Sequence, residues 1–445
     1  MAPTGRMDEY RAQVYSCTRC AACLPVCPTY KATGEESLSA RGRVSLMEAV
    51  LDGELGLTHG FAERLSKCLE CGACAAACPS GVDVPAAVLA ARAELARAGN
   101  RRLTRAATRR LISKKTHTGK QRLWGACESA YRHLPGFRFL PWFEDGRRRS
   151  LPKPGSRPLE ELLPEVSRVD GVTLSVALFP GCATSMIYQQ TALAAVRVLN
   201  RAGAEVVLPR GLGCCGLPFR SLGDMEMANA LMENSLRTLG THKVDAVVTV
   251  CSSCALALKG GAEKTPGSVP VLDIHELLAE IGVPDARPDQ ASRSMTQGTR
   301  QGRSQGIVQG RSQGMVRDRI RDRVTWHDPC HLGRDLGVIA EPREIIAGLP
   351  GVEYVEAGEL SCCGGGGLFS LLHYDLALKI GRSRAGELTA TGAGLVATGC
   401  PGCRMQLEDM LGRLGSTARV VHTVELLDGV VPAAVPRIRN RSLGK

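Results

Sequence analysis

The chain has 445 residues, 44% of them hydrophobic, which is enough for two or three domains with their own cores. Its formal charge of +12 is concentrated in two segments: Leu95–Cys127 carries ten Lys or Arg and no acid, and Ala286–Arg323 carries nine Arg and three Asp. Aromatic residues make up only 4% and no nucleic-acid-binding module is found, so we expect no nucleic-acid function. We interpret the basic segments as docking surfaces for an acidic partner or an anionic membrane face.

Nineteen cysteines indicate either disulfides or metal sites. The first residues lack the apolar segment of a signal peptide, and no run of about eighteen apolar residues occurs, so we expect neither secretion nor a membrane span. Disulfides suit small secreted chains, whereas clustered cysteines in a long cytosolic chain indicate metal or redox chemistry. We therefore expect a cytoplasmic protein, with peripheral attachment to the inner face of the membrane as the alternative.

Two runs with the same cysteine spacing lie in the first hundred residues, CTRCAACLPVCP from Cys17 and CLECGACAAACP from Cys68. The spacing C-x2-C-x2-C-x3-C-P is typical of bacterial ferredoxins, in which three close cysteines hold one [4Fe-4S] cluster and the fourth ligates the other. Zinc favours C-x2-C pairs at longer separation and explains two matched runs poorly. We assign one cluster to Cys17, Cys20, Cys23 and Cys78, and the second to Cys68, Cys71, Cys74 and Cys27.

The forty residues between the two runs contain a helical pattern. Apolar residues in RGRVSLMEAVL (Arg41–Leu51) recur at helical spacing, and a compact ferredoxin built of β-hairpins has no room for such a segment. We therefore predict an all-helical dicluster ferredoxin domain over residues 1–98, followed by a basic helical linker over 99–170. Within that linker, Lys120–Phe143 mixes aromatic and basic residues, which fits either a partner or membrane contact or a helical strut.

The remaining cysteines repeat with a period of 148 to 149 residues. Each copy has one cysteine, then a Cys-Cys pair followed by Gly, then a closing C-x2-C, and even the later tetrapeptides HELL and VELL match. Agreement of this extent indicates an internal duplication. The first set is Cys182, Cys214, Cys215, Cys251 and Cys254, and the second is Cys330, Cys362, Cys363, Cys400 and Cys403. Only Cys127 is left over, and we assign it no role because an isolated cysteine is usually a small buried hydrophobe.

Strand-like and helix-like segments alternate in both copies. LSVALFPGC and VDAVVTVCSSC in the first copy, and VTWHDPC and GLVATGC in the second, are β-type runs that end in cysteine. The alternation predicts parallel sheets, whose carboxyl-end loops meet in one crevice and so gather five cysteines per copy. The fold class is α+β: the helical domain precedes two duplicated α/β cysteine-rich half-domains, over 171–285 and 324–445, joined by a flexible low-complexity linker over 286–323.

The two copies differ in chemistry around their first cysteine. Cys330 lies in HDPCH, flanked by His327, Asp328 and His331, whereas the first copy has Phe179 in place of His327. The candidate catalytic residues are His331 and His327, which could donate protons as electrons arrive. In the alternative interpretation, which we favour, His327 and Asp328 hydrogen-bond to loop backbone and hold the cysteine in place.

The cysteine runs, the segment CPTYKATGEESLSARGRVSLMEAVLDGEL and the doubled CCG motif resemble the iron–sulfur subunit of glycolate oxidase. The resemblance covers nearly the whole chain except Ala286–Arg323. The same layout occurs in the iron–sulfur subunits of D-lactate and anaerobic glycerol-3-phosphate dehydrogenases, and in the catalytic subunit of membrane-linked heterodisulfide reductase.

The resemblance implies an electron-transfer subunit of a flavin-dependent glycolate or D-lactate dehydrogenase. Electrons would come from an FAD-containing dehydrogenase subunit and pass through 4Fe-4S clusters to a membrane quinone or other carrier. Two [4Fe-4S] clusters are expected, and one or two further iron–sulfur clusters in the CCG domains remain open. The chain has no G-x-G-x-x-G after a strand and no P-loop, so we expect the flavoprotein to oxidise the hydroxy acid.

A second function stays open because both closing C-x2-C motifs are intact, a feature that resembles heterodisulfide reductase. In that family each complete CCG motif carries a non-cubane iron–sulfur cluster at which a disulfide is reduced. The ARGR stretch at Ala40–Arg43 instead favours the glycolate and lactate group, and we give it more weight. A zinc-binding module without redox function is the third alternative.

Overall fold

The computed structural model describes residues 6–100, 102–112, 149, 152–283 and 323–429. Cys127, the segment Lys120–Phe143 and residues 286–322 of the predicted flexible linker lie outside the described residues. None of the helices in the described ranges combines the length and apolar character needed to span a bilayer.

The amino-terminal region consists, over residues 6–100, of helices and loops, with no strand assigned in that range. The α-helices are Arg11–Tyr15, Pro28–Thr33, Ala40–Leu51, His59–Ser66, Ala73–Ala76 and Val84–Arg97, and 3-10 helices form at Met7–Tyr10 and Glu36–Leu38.

The longest of these helices form where the sequence provides caps. Ser39 caps Ala40–Leu51, because its hydroxyl accepts a hydrogen bond from the Gly42 amide at 2.9 Å. Gly42 lets this helix start against the preceding turn, since a Cβ there would stand 2.0 Å from the carbonyl oxygen of Glu36. The ARGR stretch therefore begins the helix that the sequence predicted between the two cysteine runs.

The first cysteine-rich copy contains a five-stranded sheet of order β1-β3-β2-β4-β5. The strands are β1 Val166–Ser167, β2 Leu174–Phe179, β3 Ala204–Val207, β4 Ala246–Thr249 and β5 Val271–Asp273. β1 runs antiparallel to β3, and the other three pairings are parallel, as the alternation of strands and helices predicted. The sequence did not predict β1 or β5, which are short strands at the two edges of the sheet.

The second copy contains a fully parallel four-stranded sheet of order β7-β6-β8-β9. Its strands are β6 Arg323–His327, β7 Glu353–Val355, β8 Leu395–Thr398 and β9 Arg419–His422. The central strands correspond by the duplication, since β6 takes the place of β2 and β8 the place of β4.

Helices connect and cover both sheets. In the first half they are Arg102–Ile112, Leu159–Leu162, Gly181–Met186, Gln189–Arg201, Leu217–Arg220, Met225–Leu239, Ser252–Ala262 and Ile274–Ile281. In the second half they are the π-helical turn His331–Asp335 and the α-helices Ala340–Ala347, Phe369–Leu372, Tyr374–Ala390, Pro401–Arg413 and Thr423–Leu427.

The two copies pack together over a shared apolar core. Leu178 and Val248 of the first sheet belong to one buried cluster with Trp326 and Leu395 of the second. Burial of this apolar surface is the main favourable contribution to the association of the halves. The packing therefore brings the carboxyl ends of β2, β4, β6 and β8, where the cysteines begin, into one region of the molecule.

Candidate metal centres

The first amino-terminal site is a cavity lined by thiols from both cysteine runs. Its walls include Cys17, Cys20 and Cys23 from the first run together with Cys74 and Cys78 of the second, so Cys74, which is assigned to the second cluster, also borders this cavity. Around Cys20 the loop is tightly turned, since Arg19 and Ala21 have positive φ values of 56° and 68°. Cys20 is exposed to solvent, so this site reaches the protein surface.

The second amino-terminal site lies deeper, around Cys74. Burial raises the pKa of the Cys74 thiol, and the nearby thiols of Cys68, Cys71 and Cys27, and of Cys23 from the first site, raise it further. The structure thus brings Cys27 of the first run to the cysteines of the second, as the ferredoxin spacing predicts. Thiols held as neutral groups in so close a cluster release their protons when a metal binds.

In the first cysteine-rich copy, all five thiols form one connected group. The contacts run from Cys182 to Cys214, Cys215, Cys254 and Cys251. Gly181 leaves space for this group of thiols, because a Cβ at this position would stand 2.9 Å from the Cys254 sulfur. Its φ of +74° also favours glycine. Cys251 is the N-cap residue of the helix Ser252–Ala262, which places the closing C-x2-C at the start of that helix.

The second copy repeats this arrangement around its own cysteines. The sulfurs of Cys363 and Cys403 lie 3.3 Å apart, and Cys330 and Cys362 adjoin in one cluster. The glycine run after the pair supplies backbone donors: the amides of Gly364 and Gly365 each donate to a cysteine sulfur at 3.4 Å. Cys400 caps the helix Pro401–Arg413, matching Cys251 in the first copy.

Two thiol contacts connect these groups to one another. Cys251 and Cys400, from different copies, lie next to each other in one buried cluster. Cys71, from the second amino-terminal run, makes the same kind of contact with Cys362. The second amino-terminal site therefore adjoins the second cysteine-rich copy, which in turn adjoins the first.

The donor chemistry fits iron–sulfur clusters. Each group consists of cysteine sulfurs, the soft ligands that such clusters take, and the structure gathers eight in the amino-terminal region and five in each copy. The eighteen assigned cysteines are all free thiols in the described chain. Their assignment as ligands of particular clusters stays a prediction.

The two candidate histidines occupy different surroundings. His327 is fully buried at the end of β6, and its Nδ1 accepts a hydrogen bond from Arg384 Nε at 3.2 Å. Burial, followed by the charge of Arg384, lowers the pKa of His327 to about 3, so the imidazole is neutral. His331 Nδ1 lies 2.9 Å from the hydroxyl of Ser253, which is itself 3.7 Å from the Cys400 sulfur.

We expected His327 and Asp328 to form hydrogen bonds with loop backbone. In the described residues, both form hydrogen bonds with side chains instead. Asp328 accepts from Trp326 Nε1 at 2.8 Å and from both terminal nitrogens of Arg343 at 2.8 Å. Asp328 therefore fixes the end of β6 to the helix Ala340–Ala347. Arg343 lies on another element, which a local loop pattern does not reveal.

Sequence reasoning did not single out three arginines at these sites, of which Arg43 and Arg92 are buried and Arg334 is half-buried. Arg43 donates to the carbonyl oxygen of Lys67 at 2.8 Å, beside Cys68, and Arg92 donates to that of Cys68 itself at 2.6 Å. Arg334 of the second copy donates to the carbonyl oxygen of Cys71 at 2.9 Å. The one available signal was Arg43 inside an apolar helical pattern, where a charged residue is unusual.

Comparison with protein families supports this organisation. A 4Fe-4S dicluster domain matches residues 13–82, and the CCG cysteine-rich domain matches twice, at residues 176–259 and 324–408.

Several curated proteins are similar over almost the whole chain. The "probable glycolate oxidase iron-sulfur subunit" of Bacillus subtilis (strain 168) is 27% identical over 439 residues, which cover 95% of this chain and 94% of that protein. One subunit of a fumarate reductase (CoM/CoB) from Methanothermobacter marburgensis is 28% identical, with coverage of 93% and 71%. One subunit of the dihydromethanophenazine:CoB–CoM heterodisulfide reductase from Methanosarcina mazei is 26% identical, with coverage of 93% and 92%.

Proposed function

Because the chain belongs to the CCG-domain iron–sulfur proteins, we propose that it is the iron–sulfur electron-transfer subunit of a flavin-dependent 2-hydroxy-acid dehydrogenase. Glycolate and D-lactate are the substrates proposed for the complex. An FAD-containing partner subunit oxidises the hydroxy acid, and a membrane quinone or another carrier receives the electrons. The similarity to the Bacillus subtilis protein and to a lactate utilization protein of Oceanobacillus iheyensis supports this choice.

The contact between Cys71 and Cys362 is the observation that carries the electron-transfer proposal. A thiol of the amino-terminal region and a thiol of the second CCG copy would have no reason to adjoin in a protein with independent structural zinc sites. The further contact of Cys251 with Cys400 extends the arrangement to the first copy. Adjacent redox sites in one continuous path are what electron transfer through a single chain requires.

Iron–sulfur clusters supply one-electron transfer when bound, at a potential set by charge, hydrogen bonding and solvent exposure around their sulfurs. In the proposal, one amino-terminal cluster is held by Cys17, Cys20, Cys23 and Cys78, and the other by Cys68, Cys71, Cys74 and Cys27. The CCG copies hold further clusters through Cys182, Cys214, Cys215, Cys251 and Cys254, and through Cys330, Cys362, Cys363, Cys400 and Cys403.

The exposure of the thiols suggests where the partner docks. Cys20 is exposed, whereas Cys71, Cys74 and both Cys-Cys pairs are buried. Tyr15 and Val26, with side chains 43% and 38% exposed, lie near Cys20 in the sequence and give this end of the molecule apolar surface. The proposed flavoprotein therefore approaches the Cys20 end, while the buried sites are shielded from solvent.

An anaerobic affinity purification of the tagged chain tests the proposal. Partners are identified by mass spectrometry, bound flavin is assayed, and iron and sulfide are quantified. We expect a co-purifying flavoprotein that reduces the chain on addition of glycolate or D-lactate. Zinc without sulfide in the purified chain would contradict every redox function proposed for it.

Reduction of a disulfide at a CCG-bound cluster is the second candidate function. It is favoured by one specific observation: both closing C-x2-C motifs are complete and both join the thiol groups of their copies. The similarity to the heterodisulfide reductase of Methanosarcina mazei points the same way. Disulfide reduction by the isolated chain with a chemical reductant, together with a cytochrome partner and no flavoprotein, would select this function over the first.

A further inference from the structure

His327 has a buried nitrogen that no described residue satisfies. The side chain is fully buried, and its Nε2 has no hydrogen-bond partner among the described residues. One imidazole nitrogen and the sulfurs of Cys363 and Cys403 all lie within 4.8 Å of one another. Since an unsatisfied buried polar atom is costly, the geometry indicates a partner in the sulfur-rich site. Two roles are possible for such a nitrogen, a ligand to iron or a hydrogen-bond donor to sulfur.

Arg384 decides between these roles. Its Nε donates to His327 Nδ1 at 3.2 Å, and a guanidinium has donors but no acceptor. Nδ1 must therefore carry a lone pair, so the proton of the neutral imidazole is on Nε2. A ring nitrogen that bears a proton cannot ligate iron, but it can donate a hydrogen bond.

The position of Arg384 is itself well fixed. Arg384 is 1% exposed, and its Nη1 donates to the carbonyl oxygens of Ala357 at 3.1 Å and Glu359 at 3.3 Å and to the carboxylate of Glu387 at 2.8 Å. These bonds hold the guanidinium against the imidazole, so the tautomer is enforced by the fold.

The first CCG copy lacks both members of this pair. Phe179 takes the place of His327, and the residues 149 and 148 positions before Arg384 are Ser235 and Leu236, neither of them charged. Phe179 is fully buried in the same apolar cluster as Cys254. A phenyl ring offers no N–H group, so the first site lacks the donor that His327 provides at the second.

We infer that His327 is a positioning residue that donates an Nε2–H hydrogen bond to sulfur in the second CCG site, with Arg384 fixing its tautomer. This inference rests on the proposed presence of a cluster in that site. Hydrogen bonds to sulfur stabilise the more negative, reduced state of an iron–sulfur cluster. The second site is therefore the more easily reduced of the two CCG sites, and it is the one beside Cys71.

The test uses the full-length chain, purified anaerobically with its clusters. His327→Phe copies the first CCG site, and His327→Gln retains an amide donor. Iron and sulfide per chain establish occupancy, and Cys363→Ser identifies the signal of the second site. Electron-nuclear double resonance then detects exchangeable protons and nitrogens coupled to that signal, and a redox titration gives its midpoint.

We expect His327→Phe to keep its iron, lose one exchangeable proton coupling and become harder to reduce at the second site by at least tenfold, which is 59 mV for one electron. His327→Gln should recover part of the shift. Directly bound nitrogen, or loss of iron in His327→Phe alone, would show that His327 is a ligand and overturn the inference. So would an unchanged midpoint and proton coupling.

Whether the second CCG site holds a cluster at all is tested separately. A wild-type chain whose iron content and spectra are unaltered by Cys363→Ser holds no cluster in the second CCG site. That result would overturn the inference together with the proposed cluster in this copy, whereas the results on His327→Phe with full iron content overturn the inference alone.

Discussion

The thiols of Cys71 and Cys362, from the amino-terminal region and the second CCG copy, lie next to each other. This contact lies in a small apolar cluster with Leu69, Phe369 and Ile380. The second cysteine run therefore adjoins the second copy through Cys71, and the same region reaches the first copy through Arg92, which donates to the carbonyl oxygen of Ser221 at 3.0 Å.

Arg334 is expected to hold these two sites together. It donates to the carbonyl oxygens of Cys71 and Leu360, one on each side of the contact. Arg334→Met removes charged hydrogen bonds, so we expect a loss of about 1.5–3 kcal/mol in the free energy of unfolding. Electron exchange between the amino-terminal signals and the second CCG signal should slow as well. Anaerobic urea unfolding and freeze-quench electron paramagnetic resonance measure the two effects.

Arg323→Met is the matched control for Arg334→Met. Arg323 forms an ion pair with Glu353 at the surface of the same copy, and its side chain is 45% exposed. We expect its free energy of unfolding to differ from that of the wild-type chain by no more than about 0.5 kcal/mol. Similar behaviour of the two variants would mean that Arg334 does not secure the contact.

Each amino-terminal cluster is predicted to take one ligand from the other cysteine run, so the cysteine variants should fall into two pairs that lose the same cluster signal. Cys78→Ser should remove the same cluster signal as Cys20→Ser, because Cys78 lines the cavity of the first run. Cys27→Ser should remove the same signal as Cys68→Ser, since Cys27 and Cys68 both adjoin Cys74. Each single variant is expected to lose about four iron atoms. Iron analysis and electron paramagnetic resonance of the four chains check the grouping, and a signal shared by Cys27→Ser and Cys20→Ser would contradict it.

Arg43 is expected to raise the potential of the second amino-terminal site. Its guanidinium is 1% exposed and, in the described part of the chain, contacts the carbonyl oxygens of Arg64 and Lys67 and the Thr29 hydroxyl, with no carboxylate. A buried cation without a counter-charge is costly, so an anionic site beside it is favoured. Arg43→Met should make that site at least tenfold harder to reduce, about 59 mV for one electron.

Arg41→Met provides the comparison in the same helix. Arg41 pairs with Glu36, whose side chain is 54% exposed, so its charge is already balanced near solvent. For this variant, a redox titration should give the wild-type midpoint potential at the second amino-terminal site. Equal midpoints for Arg43→Met and the wild-type chain would show that the Arg43 charge does not act on the cluster.

Arg404 is expected to be essential for the association of the two CCG copies. It donates to Glu425 at 2.7 Å and to Glu408 at 2.9 Å, and its guanidinium lies 4.3 Å from the ring centre of Tyr188 in the first copy. Arg404→Met leaves the buried Glu425 carboxylate without its cation, which costs about 3–5 kcal/mol of unfolding free energy. Anaerobic urea unfolding followed by circular dichroism measures the loss.

Arg168→Met tests whether that loss is specific to the buried pair. Arg168 is 83% exposed and lies 4.0 Å from Glu205, so we expect a change within about 0.5 kcal/mol. A small effect of Arg404→Met, comparable to this control, would indicate that solvent reaches Glu425 when the arginine is removed.

The amino-acid sequence by itself determined the parts that depend on local spacing and on repetition. Three cysteines two residues apart converge within one loop, and a period of 148 to 149 residues indicates the same supersecondary structure twice. The alternation of strand-like and helix-like segments predicted the parallel sheets. Apolar residues at helical spacing predicted the helix Ala40–Leu51. The edge strands β1 and β5, of two and three residues, are too short to show such a pattern, and the four-residue edge strand β9 was not predicted either.

Only the tertiary structure decided which groups meet across the chain. Arg384 is 57 residues from His327, and Arg334 is 263 residues from Cys71. No periodicity relates such positions, because their contact depends on how helices pack on sheets and how the two copies share one core. Packing also makes the two duplicated sites different. Equal cysteine spacing gives each copy the same set of thiols, but only the second copy has a histidine bonded to an arginine and lies beside Cys71.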